Sequence, residues 1–174
     1  MKTAVVLRHA ERQDRADNGS HLSQAGIEQA RRAAARFARF DLVVTSTLPR
    51  AVETAIAMGF AVNKTHPSIQ DSGSRVLAAV SFDAGAAAWA AASHSDHLVR
   101  AYCDYVASFV DVWLDEVPDG GSLLVISHGG VVDAMAFGLS PNTDWATHGR
   151  APDYVEGFVA EVDRGQVSLR PVRS

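Results

Sequence analysis

Three short runs of apolar residues, unbroken by polar side chains, constrain most strongly what this chain can fold into. The runs cover residues 4–7, 42–44 and 123–126. A strand that is covered on one face alternates apolar and polar residues, whereas a strand buried on both faces is a continuous apolar run. The three runs therefore predict the inner strands of a parallel sheet with helices on both of its faces.

The segments between the apolar runs carry helical patterns, so strands and helices alternate as they do in an α/β domain. Ser23 is a favourable N-cap for a first helix, which we expect to extend to about Phe40. Pro49 suits the first turn of a second helix, which should end near Gly59.

The second half of the chain predicts two more helices and a hairpin. One helical pattern covers residues 95–116, and a shorter one covers residues 131–137. Residues 154–172 contain two strand-like segments around a turn, which is typical of a β-hairpin, and Pro171 limits the last strand to a sheet edge. The alanine-rich pattern of residues 72–94 suits either a helix or a mobile cover.

Length and composition exclude several classes of protein. The chain has 174 residues, which fits a single domain over residues 1–174 with a core of its own. Its 47% of hydrophobic and 21% of charged residues are typical of a globular protein and exclude a disordered chain. The formal net charge of −4 provides no basic field that would attract nucleic acid.

Cysteine usage and the lengths of the apolar runs bear on the cellular compartment. Cys103 is the single cysteine, so no intrachain disulfide can form. The apolar run after Met1 is too short for a signal peptide, and no run in the sequence approaches the length of a membrane span. We therefore expect a cytoplasmic protein without a membrane partner.

Reactive or anion-binding side chains follow each apolar run where its strand should end. In a parallel sheet the carboxyl ends of all strands lie along one edge, and ligands of α/β sheets bind at that edge. We therefore expect these side chains to meet in one pocket. They are Arg8 and His9 after the first run, Ser46 and Arg50 after the second, and His128 and Gly129 after the third.

A pocket with two arginines and two histidines suits a phosphate dianion. Guanidinium groups offer paired donors that match phosphate oxygens, and two helix N-termini would add backbone N–H groups. The nearby positive charge also favours the neutral form of the histidines. Neutral imidazole is the form that can attack phosphorus.

Four segments, taken in order, resemble motifs of the histidine phosphatase superfamily, which is also called phosphoglycerate mutase-like. Each motif alone is weak evidence, but the four in order are specific. The resemblance spans roughly residues 3–60 and 95–135. The segments are RHAE at 8–11, LSQAGIEQA at 22–30, STLPRAVETA at 46–55 and SHGG at 127–130.

The resemblance implies a three-layer α/β sandwich with a mainly parallel central sheet, and it implies a phosphatase. His9 would take the phosphoryl group as a phosphohistidine, and Arg8, Arg50 and His128 would neutralise the charge on that group. Because arginines and imidazoles do the neutralising, we expect no metal and no other cofactor. The expected partner is a phosphorylated small molecule or a phosphoprotein substrate. The residues assigned to substrate binding are Arg8, Ser46, Arg50 and Gly129.

The sequence departs from the family pattern at the proton donor for the leaving group. The family often has a glutamate some way after the second arginine, and this chain has Asp71 at the matching place, one methylene shorter. We expect Asp71 to be the general acid, with Asp83 as the alternative, and such an acid needs a raised pKa. Ala10 also replaces the glycine that usually follows the histidine.

Three other functions stay open at this point. The first is a phosphomutase, in which the phosphoryl group returns to the substrate, although the short chain without long insertions favours a hydrolase. The second is a phosphatase for phosphohistidine on proteins, whose imidazole leaving group needs little help from an acid. The third is a phosphate-binding module without turnover. Neither the identity of the substrate nor the oligomeric state follows from the sequence.

Overall fold

The structure, a computed structural model, describes residues 1–80 and 85–174. Its strands are β1 (Lys2–Arg8), β2 (Leu42–Thr45), β3 (Lys64–Thr65), β4 (Ser122–Ser127), β5 (Gly157–Asp163) and β6 (Gln166–Val172). Its helices are α1 (Gln24–Ala34), α2 (Pro49–Ala57), α3 (Gly73–Ala79), α4 (Ala86–Ser95), α5 (His97–Asp115) and α6 (Gly129–Leu139). None of these described helices is long and apolar enough to cross a membrane.

The strands of the described residues form a mixed sheet in the order β3-β2-β4-β1-β5-β6. The pairs from β3 to β1 are parallel, and β5 and β6 join antiparallel on the other side of β1. The three apolar runs lie in β1, β2 and β4, which are neighbours. The prediction of a mainly parallel sheet is therefore confirmed, and β5 and β6 form the predicted C-terminal hairpin.

Side chains of β1 alternate between two apolar cores, one on each face of the sheet. Ala4 and Val6 belong to a core that also contains residues of α4, α5 and α6. Val5 and Leu7 belong to a second core, which contains residues of α1 and α2. Because both faces are covered by helices, all four residues are buried and the run does not alternate. The predicted three-layer arrangement is confirmed.

The first helix begins where predicted but ends earlier. Ser23 caps the N-terminus of α1 through its side chain. The helix ends at Ala34, whereas the pattern predicts an extension to about Phe40. After Ala34 the backbone forms turns, in which the N–H groups of Arg36 and Phe37 donate to the carbonyls three residues back. The Arg36 guanidinium also donates to the carbonyl oxygen of Val155 at 2.7 Å, which joins this point of the chain to the segment before β5.

The described residues between 72 and 116 form three helices. The predicted helix over 95–116 is α5, and Asp96 is its N-cap because its carboxylate accepts the N–H of Leu98 at 2.8 Å. The alanine-rich region contains α3 and α4, so the helical alternative holds for residues 73–79 and 86–95. Residues 81–84 lie outside the described residues.

Strand β3 has no signal in the sequence. Its residues, Lys64 and Thr65, are exposed and polar, and they pair in parallel with Val44 and Thr45. An edge strand of this length has no apolar face to bury, so it leaves no pattern to detect.

Candidate active site

A cavity of about 340 Å³ lies at the carboxyl ends of β1 and β4. Among the described residues, no aspartate or glutamate lines it. No group of three or more His, Cys, Asp or Glu within residues 1–80 and 85–174 could hold a metal ion. A lining with basic and without acidic side chains suits an anionic ligand. Its basic and imidazole side chains are Arg8, His9, Arg12, Arg15, Arg50 and His128.

His9 presents a lone pair to this cavity. Its Nδ1 lies 2.6 Å from the carbonyl oxygen of Ala10. A carbonyl oxygen can only accept, so Nδ1 carries the proton and Nε2 keeps the lone pair. Nε2 in turn accepts a hydrogen bond from Nε of Arg50 at 3.2 Å. His9 is therefore a neutral imidazole whose unprotonated nitrogen accepts a hydrogen bond from a guanidinium group.

Burial keeps His9 neutral over a wide pH range. The side chain is 5% exposed. Burial lowers the pKa of His9 to about 3, and the charge of Arg50 adds to this effect. The hydrogen bond to Ala10 acts in the opposite direction but is outweighed. At neutral pH the nucleophilic form of the ring is therefore the populated form.

His128 presents a donor rather than a lone pair. Its Nε2 lies 2.7 Å from Oγ of Ser46, and the same Oγ accepts the N–H of Leu48 at 3.3 Å. The hydroxyl proton of Ser46 is then available to Nε2, which puts the ring proton of His128 on Nδ1. Nδ1 is buried without a hydrogen-bond partner among the described residues, and a bound oxygen would satisfy it. Burial, with His9 nearby, lowers the pKa of His128 well below its usual value.

Arg50 is a buried cation at the start of α2. The side chain is 4% exposed, and its guanidinium donates to the backbone carbonyl and the side-chain Oδ1 of Asn18. Burial, together with the charge of Arg12, lowers the pKa of Arg50 to about 10, so the group stays charged at neutral pH. The loop that contains Asn18 therefore fixes one of the two predicted phosphate-binding arginines.

Arg8, at the end of β1, is held by the segment before β5. Its Nη1 donates to the carbonyl oxygen of Pro152 at 3.0 Å, and its Cζ lies 4.4 Å from the ring centroid of Tyr154. That distance gives a cation–π contact. Nε of Arg8 is buried without a hydrogen-bond partner among the described residues, so one donor of the group is open to a ligand.

Two residues outside the cavity hold the loop that follows β1. Oγ1 of Thr54 accepts the N–H of Ala10 at 2.9 Å and donates to the carbonyl of Arg50 at 2.6 Å, which joins the His9 loop to α2. Gly26 lets α1 pack on the same loop, because a Cβ at this position would lie 2.0 Å from the carbonyl oxygen of Glu11. The glycine of the segment at 22–30 therefore serves close packing.

The structure brings five of the predicted site residues to one cavity, namely Arg8, His9, Arg50, His128 and Gly129. Their roles in binding and catalysis stay predictions. Ser46 is different, since it is fully buried and contacts His128 without lining the cavity. The assignment of Ser46 to substrate binding stays a prediction, and the structure shows its Oγ in contact with Nε2 of His128.

Neither candidate for the general acid lies among the described residues that line the cavity. Asp71 is exposed, and its Oδ1 accepts the N–H of Gly73 at 2.9 Å. Asp83 lies outside the described residues. The role of general acid therefore stays a prediction for either residue.

Sequence reasoning missed the cavity residues Arg12, Arg15 and Tyr154, and also residues 151 and 152. The available signal for the arginines was their position three and six residues after His9, in a segment interpreted only as a loop. Tyr154 was predicted as part of the hairpin, whereas β5 begins at Gly157. Its ring lies in the cavity because the chain before β5 folds back over the end of β1.

Three of the solved structures with a similar fold carry the name phosphatase. A phosphoserine phosphatase from Entamoeba histolytica, in complex with 3-phosphoglyceric acid, has a TM-score of 0.75 at 16% identity, covering 100% of this chain and 98% of that chain. A putative alpha-ribazole-5'-P phosphatase from Escherichia coli has a TM-score of 0.67 at 20% identity, covering 100% and 98%. The protein histidine phosphatase SixA, complexed with tungstate, has a TM-score of 0.59 at 18% identity, covering 98% and 96%.

Sequence comparison gives the family directly. No curated protein matches the chain. The sequence profile of the histidine phosphatase superfamily (branch 1) matches residues 4–170, which contain all the cavity residues named above. The fold of the solved structures agrees with that match. The chain therefore belongs to the histidine phosphatase superfamily.

Proposed function

We propose that this protein is a phosphoric monoester hydrolase that acts through a phosphohistidine on His9, without a metal. The observation that carries the proposal is the hydrogen bond from Nδ1 of His9 to Ala10, which leaves the Nε2 lone pair in a cavity lined by arginines. The likeness to proteins named phosphoserine phosphatase and protein histidine phosphatase supports the same class of reaction.

In the first step, Nε2 of His9 attacks phosphorus, and the bond between phosphorus and the leaving oxygen breaks. Before this attack, Arg50 exchanges its hydrogen bond to Nε2 for one to a phosphate oxygen of the bound substrate, which frees the lone pair. Arg8 and the N–H of His128 donate to the other oxygens, so that charge on the transferring group is neutralised. The leaving oxygen takes up a proton, for which Asp71 is the predicted donor.

In the second step, a water molecule attacks phosphorus on the opposite side to His9. The bond between phosphorus and Nε2 breaks, and its electron pair returns to the imidazole. The water gives up a proton to solvent, and the products are inorganic phosphate and neutral His9. The same donors hold the phosphoryl oxygens in both steps, so the chain needs no rearrangement between them.

The test is a panel of phosphomonoesters, including an aryl phosphate, with wild type and His9→Ala. We expect the variant to lose turnover, and we expect wild type to form an acid-labile, alkali-stable phosphoenzyme after rapid quench. The matched control is His94→Gln, since His94 is exposed on α4 and does not line the cavity. Wild-type rates in His9→Ala would disprove the covalent mechanism.

A second candidate is the hydrolysis of phosphohistidine on proteins. It is favoured by the absence of a carboxylate among the described residues that line the cavity, because imidazole is a good leaving group without an acid. A comparison of kcat/KM for a phosphohistidine-containing protein and for alkyl phosphates decides between the two. Release of an isomer from a phosphoglycerate, without inorganic phosphate, would instead identify a phosphomutase.

A further inference from the structure

A second cavity lies between α6, the start of α4, the segment 145–150 and the β5–β6 hairpin. We call it the hairpin cavity, and we call the cavity described above the His9 cavity. The hairpin cavity has a volume of about 40 Å³, whereas one water molecule needs about 10–15 Å³. It therefore has room for a molecule of a few non-hydrogen atoms. Its walls are mainly apolar and include Val132, Ala136, Trp145, Phe158 and Leu169.

One polar atom is buried in this apolar lining without a partner. Asp133, on α6, lines the hairpin cavity and is only 4% exposed. Its Oδ2 makes no hydrogen bond with any described residue. Buried polar atoms of folded proteins are almost always paired, so an orphaned carboxyl oxygen in a cavity wall calls for a bound group. A ligand that forms a hydrogen bond with Oδ2 would satisfy it.

The Asp133 carboxyl is mainly neutral at pH 7. Burial raises its pKa to about 8. The charges of Arg173 and Arg8, and a hydrogen bond from the backbone N–H of Ala86, act in the opposite direction but are outweighed. Since Oδ2 has no partner, the N–H of Ala86 is accepted by Oδ1, and the proton belongs on Oδ2. The hairpin cavity therefore contains an O–H donor that needs an acceptor.

The charges around the hairpin cavity favour a neutral ligand. Its described arginines already face carboxylates, since Arg150 and Arg173 pair with Glu156. Arg170 lies 3.8 Å from the carboxylate of Glu161. An anion would have to compete with these carboxylates, and a cation would meet the guanidinium groups beside a protonated carboxyl. The apolar walls in turn disfavour any charge that is left unpaired.

We infer that the hairpin cavity is a ligand site separate from the His9 cavity, and that it takes a small neutral molecule with an apolar body and one carbonyl or hydroxyl oxygen. The oxygen accepts the hydrogen bond from Asp133. The apolar body packs against Trp145 and Phe158, which line the same cavity. Acetone has this chemistry at the size that the cavity allows.

Occupancy of the hairpin cavity reaches the phosphate-binding groups through two elements. Pro152 lines both cavities, and its carbonyl accepts the hydrogen bond from Nη1 of Arg8 at 3.0 Å. Asp133 lies one turn after Gly129, which lines the His9 cavity from the start of the same helix. A ligand in the hairpin cavity thus contacts two supports of the His9 cavity, and we expect it to change the affinity for phosphate.

The test of the site is an NMR titration of the full chain with acetone, followed at the indole N–H of Trp145. This N–H donates to the carbonyl of Ser140 at 3.1 Å and belongs to a residue of the lining. We expect a saturable shift with a dissociation constant of about 1–10 mM, which suits a ligand of so few atoms. The indole signal of Trp113, which does not line the cavity, should stay in place.

Acetate is the matched probe, because it has as many non-hydrogen atoms as acetone but carries a charge. We expect it to bind at the hairpin cavity about tenfold more weakly, or less. Absence of a saturable shift of Trp145 with acetone would overturn the inference. Acetate that binds there as tightly as acetone would overturn the assignment to a neutral ligand.

Two replacements of Asp133 separate the ligand from the fold. Asp133→Asn keeps a donor and should keep the acetone affinity within about threefold. Asp133→Leu has a similar shape without a donor, so it should weaken acetone binding by about tenfold or more. Its Tm should equal or exceed that of wild type, because the orphaned oxygen is gone.

The control variant is Asp111→Leu, which makes the same replacement on α5 outside the lining. It should bind acetone as wild type does. Unchanged acetone affinity in a folded Asp133→Leu would overturn the inference. If that variant does not fold, the comparison of acetone with acetate in wild type decides.

Calorimetric titration with inorganic phosphate, with and without saturating acetone, tests the link to Arg8. We expect the phosphate Kd of wild type to change by about twofold or more, and saturating phosphate to change the acetone Kd by the same factor. Asp133→Leu should show no such change. Since no turnover is measured, the result does not depend on the proposed reaction. An unchanged phosphate Kd in wild type would contradict the link through Pro152 while leaving the site intact.

Discussion

His9 and His128 are both neutral imidazoles, but they offer opposite groups to a ligand. Their ring centroids are 5.0 Å apart. The carbonyl of Ala10 accepts a hydrogen bond from the protonated Nδ1 of His9. The hydroxyl of Ser46 donates to the unprotonated Nε2 of His128. One ring is left with a lone pair and the other with an N–H. A nitrogen with a lone pair and a nitrogen that donates a proton thus arise from the same residue type through a single difference in partner.

The low pKa of His9 predicts an unusual pH dependence. Protonation removes the Nε2 lone pair, so activity falls only when the pH approaches the pKa of about 3. We expect no decrease in kcat/KM caused by His9 around pH 6.5, the ordinary histidine value, once the ionisation of the substrate is corrected for. The measurement is a pH–rate profile with an aryl phosphate. An acidic limb near pH 6.5 that persists after this correction would contradict a buried, neutral His9.

At the scale of elements, the cavity depends on how closely α1 approaches the loop after β1. The approach is set by Gly26, which packs on the backbone of Glu11. The same loop is bound to α2 through Thr54. Two helices on one face of the sheet therefore hold His9 in place from two directions, and neither contact involves a ligand.

Gly26→Ala should both destabilise the protein and reduce its activity. The new Cβ would lie 2.0 Å from the carbonyl oxygen of Glu11, so α1 or the loop must move. We expect a loss of about 1–3 kcal/mol in the free energy of unfolding, as for overpacking elsewhere, with a fall in kcat/KM. Urea denaturation and steady-state kinetics provide the measurements.

The matched control for this change is Gly19→Ala. A Cβ at Gly19 would meet its nearest atom, Oδ1 of Asp17, at 3.4 Å, which is an ordinary contact. Gly19→Ala should therefore leave the stability close to that of wild type. Equal losses in the two variants would show that the Gly26 contact has no special role in holding the loop.

The sequence predicts those elements that bury apolar surface and leaves out those that do not. The unbroken runs in β1, β2 and β4 required two covered faces, and the observed cores provide them. By contrast, β3 consists of exposed Lys64 and Thr65 and leaves no pattern. The end of α1 is predicted too late, because Phe37 and Ala38 continue the helical spacing of apolar residues although the backbone after Ala34 forms turns.

The same distinction applies to the candidate site. Residues directly after a predicted strand, such as Arg8 and His128, can be placed at the sheet edge from the sequence. Arg15 and Tyr154 lie on loops, and loop paths follow from long-range contacts rather than from local periodicity. The ring tautomers likewise depend on which atoms the folded loops bring to each nitrogen.

At the scale of the whole molecule, Glu156 joins segments that are distant in sequence. Its carboxylate is fully buried and accepts hydrogen bonds from Arg150, Arg173, Ser174 and the N–H of Asp153. Burial alone would raise the pKa of Glu156, but these donors outweigh it and hold the pKa well below its usual range. Glu156 thus anchors the segment before β5 to the end of β6. This segment contains Pro152, whose carbonyl accepts a hydrogen bond from Arg8.

Glu156→Gln should lower the free energy of unfolding by about 2 kcal/mol at pH 7, because the amide NH₂ of glutamine cannot accept the hydrogen bonds that one buried oxygen of the carboxylate receives. A depressed carboxyl pKa contributes stability above the unfolded pKa, and the contribution is lost as the pH falls. The difference between wild type and variant should therefore shrink from about pH 5 downward. Urea denaturation of both proteins at a series of pH values measures this difference in the free energy of unfolding.

The control is Glu161→Gln on β5, where the carboxylate is 41% exposed and lies 3.8 Å from Nε of Arg170. An exposed pair of this kind contributes less than about 1 kcal/mol. A Glu156→Gln effect that is as small as this, or that does not change with pH, would contradict the role of Glu156 as an anchor.

The position of β1 in the sheet also determines when the protein can become functional during its synthesis. This strand comes first in the chain, yet its neighbours β4 and β5 begin at Ser122 and Gly157. A nascent chain that has emerged only as far as α5 has neither partner for β1 and no His128. Until these strands have been synthesised, both edges of β1 lack their native partners and are open to non-native association. Chaperone demand should be highest in that interval.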